Sequence, residues 1–222
     1  GLEWDADGGN GAAVRVLGSC YFRRMEQLLT QLRAYSDQLV KLPEHEWTRF
    51  AGIMQPASFN KGQHLLEIGH VCDHVCFLGT GLVRAYRIHD GEDLTEQFFF
   101  EGNYATEYES FLTRTPSTVG LQAMEPCTLV RFNHADLQGT YASSPMAERM
   151  GRLIAEHIFT GSSRRTRSLL FDSPEQRYLA LIKERPKVMA RVPQKYIASY
   201  LGLKPESLSR IRARLTRKPV AA

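Results

Sequence analysis

Glu206, Ser209 and Arg210 fall within five residues of one another in the stretch from Val192 to Leu215, VPQKYIASYLGLKPESLSRIRARL. Their side chains suit hydrogen bonding to base edges in a DNA major groove: Arg210 as a forked donor to guanine, Glu206 as an acceptor from a cytosine amine, Ser209 as either partner. Around them Lys195, Lys204, Arg212, Arg214 and Arg217 supply the cations that phosphates attract. A second group, His70, Cys72, His74 and Cys76, alternates with other residues. On a straight strand all four would share a face with soft nitrogen and sulfur ligands. The segment follows Gly69 and starts as a turn, however, so the expectation is buried cysteines packed as small hydrophobes and no metal site.

The elements that must hold the DNA-facing residues can be read from spacing. Ile197, Leu201, Leu203, Leu208, Ile211 and Leu215 recur at three- and four-residue steps on either side of Gly202, the pattern of two short helices packed on each other as a helix-turn-helix. Pro193 can open the first helix and Pro205 the second. Upstream, Ser173-Pro174 caps a supporting helix, EQRYLALIKER, that ends before Pro186. Ser144-Pro145 likewise starts a long helix running to Phe171. Met146, Met150, Leu153 and His157 form one stripe on that helix, and Ala147, Gly151, Ile154, Ile158 and Gly161 a neighbouring one. Two stripes imply two surfaces, one on the domain before it and one on a partner helix, hence a homodimer; the other reading is a single broad core face.

From Ser58 to Gly91 the texture is one of short strands broken by turns at Lys61-Gly62, Gly69, Gly79 to Gly81 and Asp90-Gly91, resuming at Leu94 to Phe100 and Val119 to Phe132. This predicts a small antiparallel jelly roll able to enclose one small ligand. The polar segment between the last two, EGNYATEYESFLTRTPS, reads as a lid or ligand loop. An amphipathic segment, EHEWTRFAGIM, precedes the roll, and a helical pattern begins at Met25. Residues 1–24 lack a hydrophobic period and read as a disordered or added leader. The expected fold class is α+β: a jelly-roll (double-stranded β-helix) sensor domain over 25–143, a dimerisation helix over 144–172, and an all-α helix-turn-helix domain over 173–222. After the second helix of the pair only Thr216 to Ala222 remain, too few for a full wing.

Charge separates these modules. From Arg185 onward there are ten Lys or Arg and one acid, whereas residues 1–144 hold eleven basic and eighteen acidic residues, a split that the net charge of +4 conceals. A basic rear behind an acidic front fits one module that meets phosphate and another that does not. Four unevenly placed cysteines do not make a disulfide framework, and no secretory or membrane-spanning run is present, so a cytoplasmic chain with reduced thiols is expected. No phosphate-gripping loop, nucleophile elbow or H-E-x-x-H is found, and His64, His89, His134 and His157 are scattered. No catalytic residue and no cofactor is expected. The rival reading is a ligand-binding or protein-interaction module whose basic tail meets an acidic partner.

The order of parts and several local motifs resemble the Crp/Fnr family of bacterial transcription regulators from about Trp47 to Leu215, and within it the type common in Bacteroidetes. KGQHLLEIG followed by FLGTGLVRAY is similar to the family's turn-glycine pattern in the roll, and Glu206, Ser209 and Arg210 match the E-x-x-S-R of the Fnr-like branch. The resemblance implies a homodimer on double-stranded DNA, with those three residues on bases in a half-site akin to TTGA. It also implies a small-molecule effector in the roll and RNA polymerase as a further partner, for which no residue stands out. Cyclic-nucleotide binders of the family carry G-E and, about ten residues on, R-S/T-A, the arginine gripping the cyclic phosphate. Aligned so, Thr106-Glu107 overlies G-E and Ser117-Thr118-Val119 overlies R-S/T-A. The glutamate survives and the arginine does not. Glu107, Tyr108, Ser117, Thr118 and Arg114, three residues early, are the candidate effector-pocket residues, and cyclic AMP in the usual mode is not expected. The iron–sulfur cysteine cluster of Fnr proper has no counterpart.

Overall fold

The fold is given by a computed structural model that describes residues 11–217, with side chains from 25 to 216. Helix α1 (Gly11–Leu39) and helix α2 (Glu44–Gly52) precede eight strands: β1 (Met54–Phe59), β2 (His64–Leu66), β3 (His74–Thr80), β4 (Leu82–His89), β5 (Glu92–Phe100), β6 (Tyr104–Ala105), β7 (Gly120–Ala123) and β8 (Cys127–Asn133). A short helix α3 (Tyr108–Thr113) interrupts them between β6 and β7. All pairings among these strands are antiparallel, and the strands form two four-stranded sheets in the orders β1-β8-β3-β6 and β2-β7-β4-β5, the two layers of a jelly roll. Leu78, Val83, Leu121, Leu129, Val130 and Phe132 from both layers are buried in a common core.

The turns lie where the glycines placed them, and Gly81 shows why. Its φ of 96° lies in the left-handed region, and an added Cβ would sit 2.6 Å from both the Pro126 carbonyl oxygen and Cys127 Sγ. The segment read as a lid is instead ordered as β6 and α3. The polar residues that disguised it are capping and turn residues: Glu107 caps α3 and Arg114 ends it with a left-handed φ of 59°.

Helix α1 begins well before Met25, so the backbone of 11–24 is helical where the sequence showed no hydrophobic period; residues 1–10 of the expected leader lie outside the described residues. Leu28 and Leu32 of α1 are buried in the roll core, with Leu28 lying against Gly79. After α4 (His134–Ser143), helix α5 runs from Pro145 to Phe171, capped by Ser144, which accepts from Ala147 N at 3.0 Å. Members of both predicted stripes, Ala147, Met150, Met146, Leu153 and Ile154, are buried or partly buried, and Met150, Met146, Leu153 and Ile154 pack against the molecule's own roll core. Neighbouring stripes thus merge into one broad face there, while His157 and Gly161 stay exposed. The large apolar residues left outward on α5 belong to neither stripe: Phe159, Leu169, Leu170 and Phe171, of which Phe159 is 71 % exposed and Leu170 70 %.

Helices α6 (Pro174–Glu184), α7 (Pro186–Arg191), α8 (Gln194–Tyr200) and α9 (Pro205–Arg217) complete the chain. Ser173 and Gln176 form a full capping box on α6, matching the start signal in the sequence. The core of these four helices, including Tyr178, Leu181, Val188, Ile197 and Leu208, is continuous with Leu82, Phe98 and Phe100 of the roll. The C-terminal helices are therefore docked on the β4-β5 side of the roll. Among the described residues no helix is long and apolar enough to cross a membrane.

Candidate functional site

Helices α8 and α9 are held by Ile197, Ala198, Leu201, Leu208 and Ile211, all buried. Between them Gly202 takes a φ of 66°, its N–H donates to Ser199 O at 2.9 Å, and Leu203 N donates to Ala198 O at 2.9 Å. That left-handed turn reverses the chain without leaving its amides unpaired. Pro193 lies at the N-cap of α8, one residue outside the position its missing N–H suggested, and Pro205 is the first residue of α9.

With Leu208 and Ile211 turned inward, Glu206, Ser209 and Arg210 are all exposed on α9. Ser209 Oγ donates to Pro205 O at 3.1 Å within the helix. Lys204 is exposed at the turn, and Lys195 is exposed with its ammonium 4.6 Å from the centre of the Tyr196 ring. Arg214 is ion-paired with Glu175 at the start of α6, and Arg212 is partly buried. The Arg217 side chain lies outside the described residues. The face thus presents one acid, one hydroxyl and several cations on a rigid, well-packed helix.

The candidate effector residues divide. Glu107 caps α3, accepting from Ser110 N at 2.8 Å and Glu109 N at 3.2 Å. Ser117, standing where the phosphate-gripping arginine would be, is buried; its Oγ accepts from Val119 N at 2.9 Å and lies 2.8 Å from Val119 O and 3.2 Å from the Glu107 carboxylate. The donors that would meet an anion are thus occupied by the chain's own carboxylate. Arg114 does not join them. Its guanidinium donates to Cys72 O at 2.9 Å and pairs with Asp73 at 2.5 Å, which ties the end of α3 to the segment before β3. Thr118 is exposed, and Tyr108 lines a separate cavity among α3, α4 and α5.

His70 and Cys72 lie before β3 rather than in it, so the alternation with His74 and Cys76 is not realised on one strand. Burial, followed by the nearness of Cys72, pushes the Cys76 thiol up to about 12 against the opposing effect of Arg131, which keeps it a protonated core residue. Among the described residues no three His, Cys, Asp or Glu side chains converge as metal ligands.

A cluster between roll and C-terminal helices went unseen in the sequence. Arg84 is 2 % exposed, forms a forked pair with Asp93, donates to Gln122 Oε1 at 3.1 Å, and lies between the rings of Tyr86 and Tyr196, 4.4 and 4.0 Å from their centres. Nearby, Arg185 donates to Phe98 O at 2.6 Å and Gln97 Oε1 at 2.7 Å, Thr95 N donates to Ser199 Oγ at 2.8 Å, and Arg191 pairs with Glu101 and Glu125. Only the motif arginine of GLVR hinted at any of this, and its partners lie too far along the chain for spacing to reveal.

The cyclic nucleotide-binding domain family matches residues 56–144. No curated protein matches the chain in sequence. Among solved structures, FixK2 of Bradyrhizobium japonicum superposes with a TM-score of 0.65 at 16 % identity, covering 74 % of this chain and 85 % of that one. The c-di-GMP responsive global regulator CLP of Xanthomonas campestris gives 0.63 at 19 % identity, covering 78 % and 92 %. A protein of Eubacterium rectale assigned to the Crp/Fnr family gives 0.64 at 14 % identity, covering 79 % and 84 %. Residues 56–144 thus match the cyclic nucleotide-binding domain family, and the chain shares the fold of these solved structures, one of them assigned to the Crp/Fnr family.

Proposed function

We propose that this protein is a homodimeric, sequence-specific DNA-binding transcription regulator. The observation that carries this reading is the exposed trio Glu206, Ser209 and Arg210 on α9, backed by the buried Leu208 and Ile211 and flanked by the exposed cations Lys195 and Lys204. In this reading α9 enters the major groove, the trio reads bases, and Lys195, Lys204, Arg212, Arg214 and Arg217 meet phosphates. Two copies pair along α5 through Phe159 and Leu170, which are eleven residues apart and so lie on nearly the same side of a helix. The pairing sets the two copies of α9 about 34 Å apart, one helical turn of DNA. A signal at the sensor domain acts by changing how α5 and the docked C-terminal helices sit. That signal is not a cyclic nucleotide held in the phosphate-gripping mode, because Ser117 replaces the gripping cation and Glu107 fills the donors around it.

The test is selection of bound duplexes from a random pool by the purified protein at near-physiological salt, with and without cell extract. Enrichment of an inverted repeat is the expected result, and dependence on extract would identify an effector to fractionate. A folded protein that enriches nothing in either condition would overturn this reading in favour of an interaction module.

A further inference from the structure

Arg210 and Arg214 stand four residues apart on α9 and so share one face of it. Arg210 has no acidic partner among the described residues, whereas the Arg214 guanidinium donates to the carboxylate of Glu175, 39 positions earlier in the first turn of α6. Both arginines and Glu175 border one cleft between the start of α6 and α9, beside Ser207, Leu203 and Ile211. The pair lies at the surface: the Arg214 side chain is 57 % exposed and that of Glu175 30 %. A pair so open to water adds little to the stability of the fold. Its consequence is electrostatic, because it places a carboxylate beside Arg210 and holds one of the cations on that face.

We propose that Glu175 is a positioning residue that withholds Arg214 from the DNA backbone and thereby sets the sequence-independent part of the affinity. The inference rests on the reading of α9 as the DNA-facing helix. A duplex laid against the Arg210 face brings phosphates to the cleft. Arg214 must then leave the carboxylate or share itself with it, and in both cases Glu175 cancels one positive charge among those that face the backbone. One counterion fewer is displaced from the duplex than the cations of α9 would otherwise release. Phosphate contacts position a protein without reading sequence, so Glu175 acts on all duplexes alike and leaves base contacts by Arg210 untouched.

The test is fluorescence-anisotropy titration of the full chain with a random-sequence duplex and with the selected operator, across a salt series. Glu175→Gln should steepen the fall of log affinity with log salt by about 0.9, the signature of one more phosphate neutralised. Its advantage over the wild type should therefore grow about 3.5-fold as salt drops fourfold, equally on both duplexes. In an Arg214→Ala background the same substitution should leave the slope unchanged. Glu109→Gln, which removes an equal charge from an exposed position on α3, should not alter the slope either. A Glu175→Gln slope equal to that of the wild type overturns the proposal, as does a steepening that persists without Arg214 or is matched by Glu109→Gln. A wild type that binds neither duplex at any salt overturns the DNA-binding reading and this inference with it, whereas normal wild-type binding with an unmoved Glu175→Gln slope overturns the role of Glu175 alone.

Discussion

Replacing Arg191 by alanine should loosen the junction between the roll and the C-terminal helices by an amount the geometry allows to be bounded. Arg191 Nε and Nη2 reach the two oxygens of Glu125 at 3.0 and 2.5 Å, and Nη1 lies 2.7 Å from Glu101. The side chains are 26 % exposed for Arg191, 29 % for Glu101 and 34 % for Glu125, so solvent screens the pairs in part. Exposed pairs are worth about 0.2–1 kcal/mol and hydrogen bonds to charge about 1.5–3, so about 1–3 kcal/mol is expected for both together. The loss should depend on pH. Burial raises the Glu101 pKa, but a backbone hydrogen bond and its bonds to Arg191 and Lys187 outweigh it and hold the pKa below 4.5. A depressed carboxylate stabilises the fold above its unfolded pKa, and that contribution disappears as pH falls through the folded value. Urea unfolding of wild type, Arg191→Ala, Glu101→Gln, Glu125→Gln and the double variants at pH 7 should show coupling between position 191 and each glutamate. Strict additivity at neutral pH, with Arg191→Ala costing as much beside the amides as beside the carboxylates, would refute the bridging role.

Arg210→Ala should weaken binding to the selected operator by about 1–3 kcal/mol and relax the preference at one base pair, whereas Lys204→Ala should weaken all duplexes alike; gel-shift titrations over matched and mismatched sites separate the two. Gly81→Ala meets a left-handed φ of 96° and contacts at 2.6 Å, and should lower stability by more than about 2 kcal/mol in urea unfolding. The His74 pKa is lowered from 6.5 by burial and by Arg131 and Arg114, against Asp73. The unfolded chain therefore takes up more protons, so stability is full above pH 6.5 and declines as pH falls below it; His74→Gln should flatten that part of the profile, read from thermal midpoints.

The helix-turn-helix was legible because every signal in it is local: Leu208 and Ile211 are spaced for one helix face, Gly202 for one turn, and Glu206, Ser209 and Arg210 for the opposite face. The roll's turns were legible for the same reason, as were the caps at Ser144 and Ser173. Helix α3 was hidden since a six-residue helix has too few positions to show a period, and its polar caps look like loop. Likewise, a stripe on α5 shows that a face is apolar but not what covers it, and the roll claimed more of the helix than its pattern divided.

What the sequence by itself determined is the order of elements, their turns and caps, and the residue types offered by α9, all set by interactions within a few residues. Only the tertiary structure decided that Ser117 meets Glu107, that Arg114 is spent on Asp73, and that Arg84 is clamped between Tyr86 and Tyr196. Those outcomes join residues from different elements, some of them about a hundred positions apart, and a side chain's partner at that distance is fixed by sheet order and helix docking, which no local period encodes.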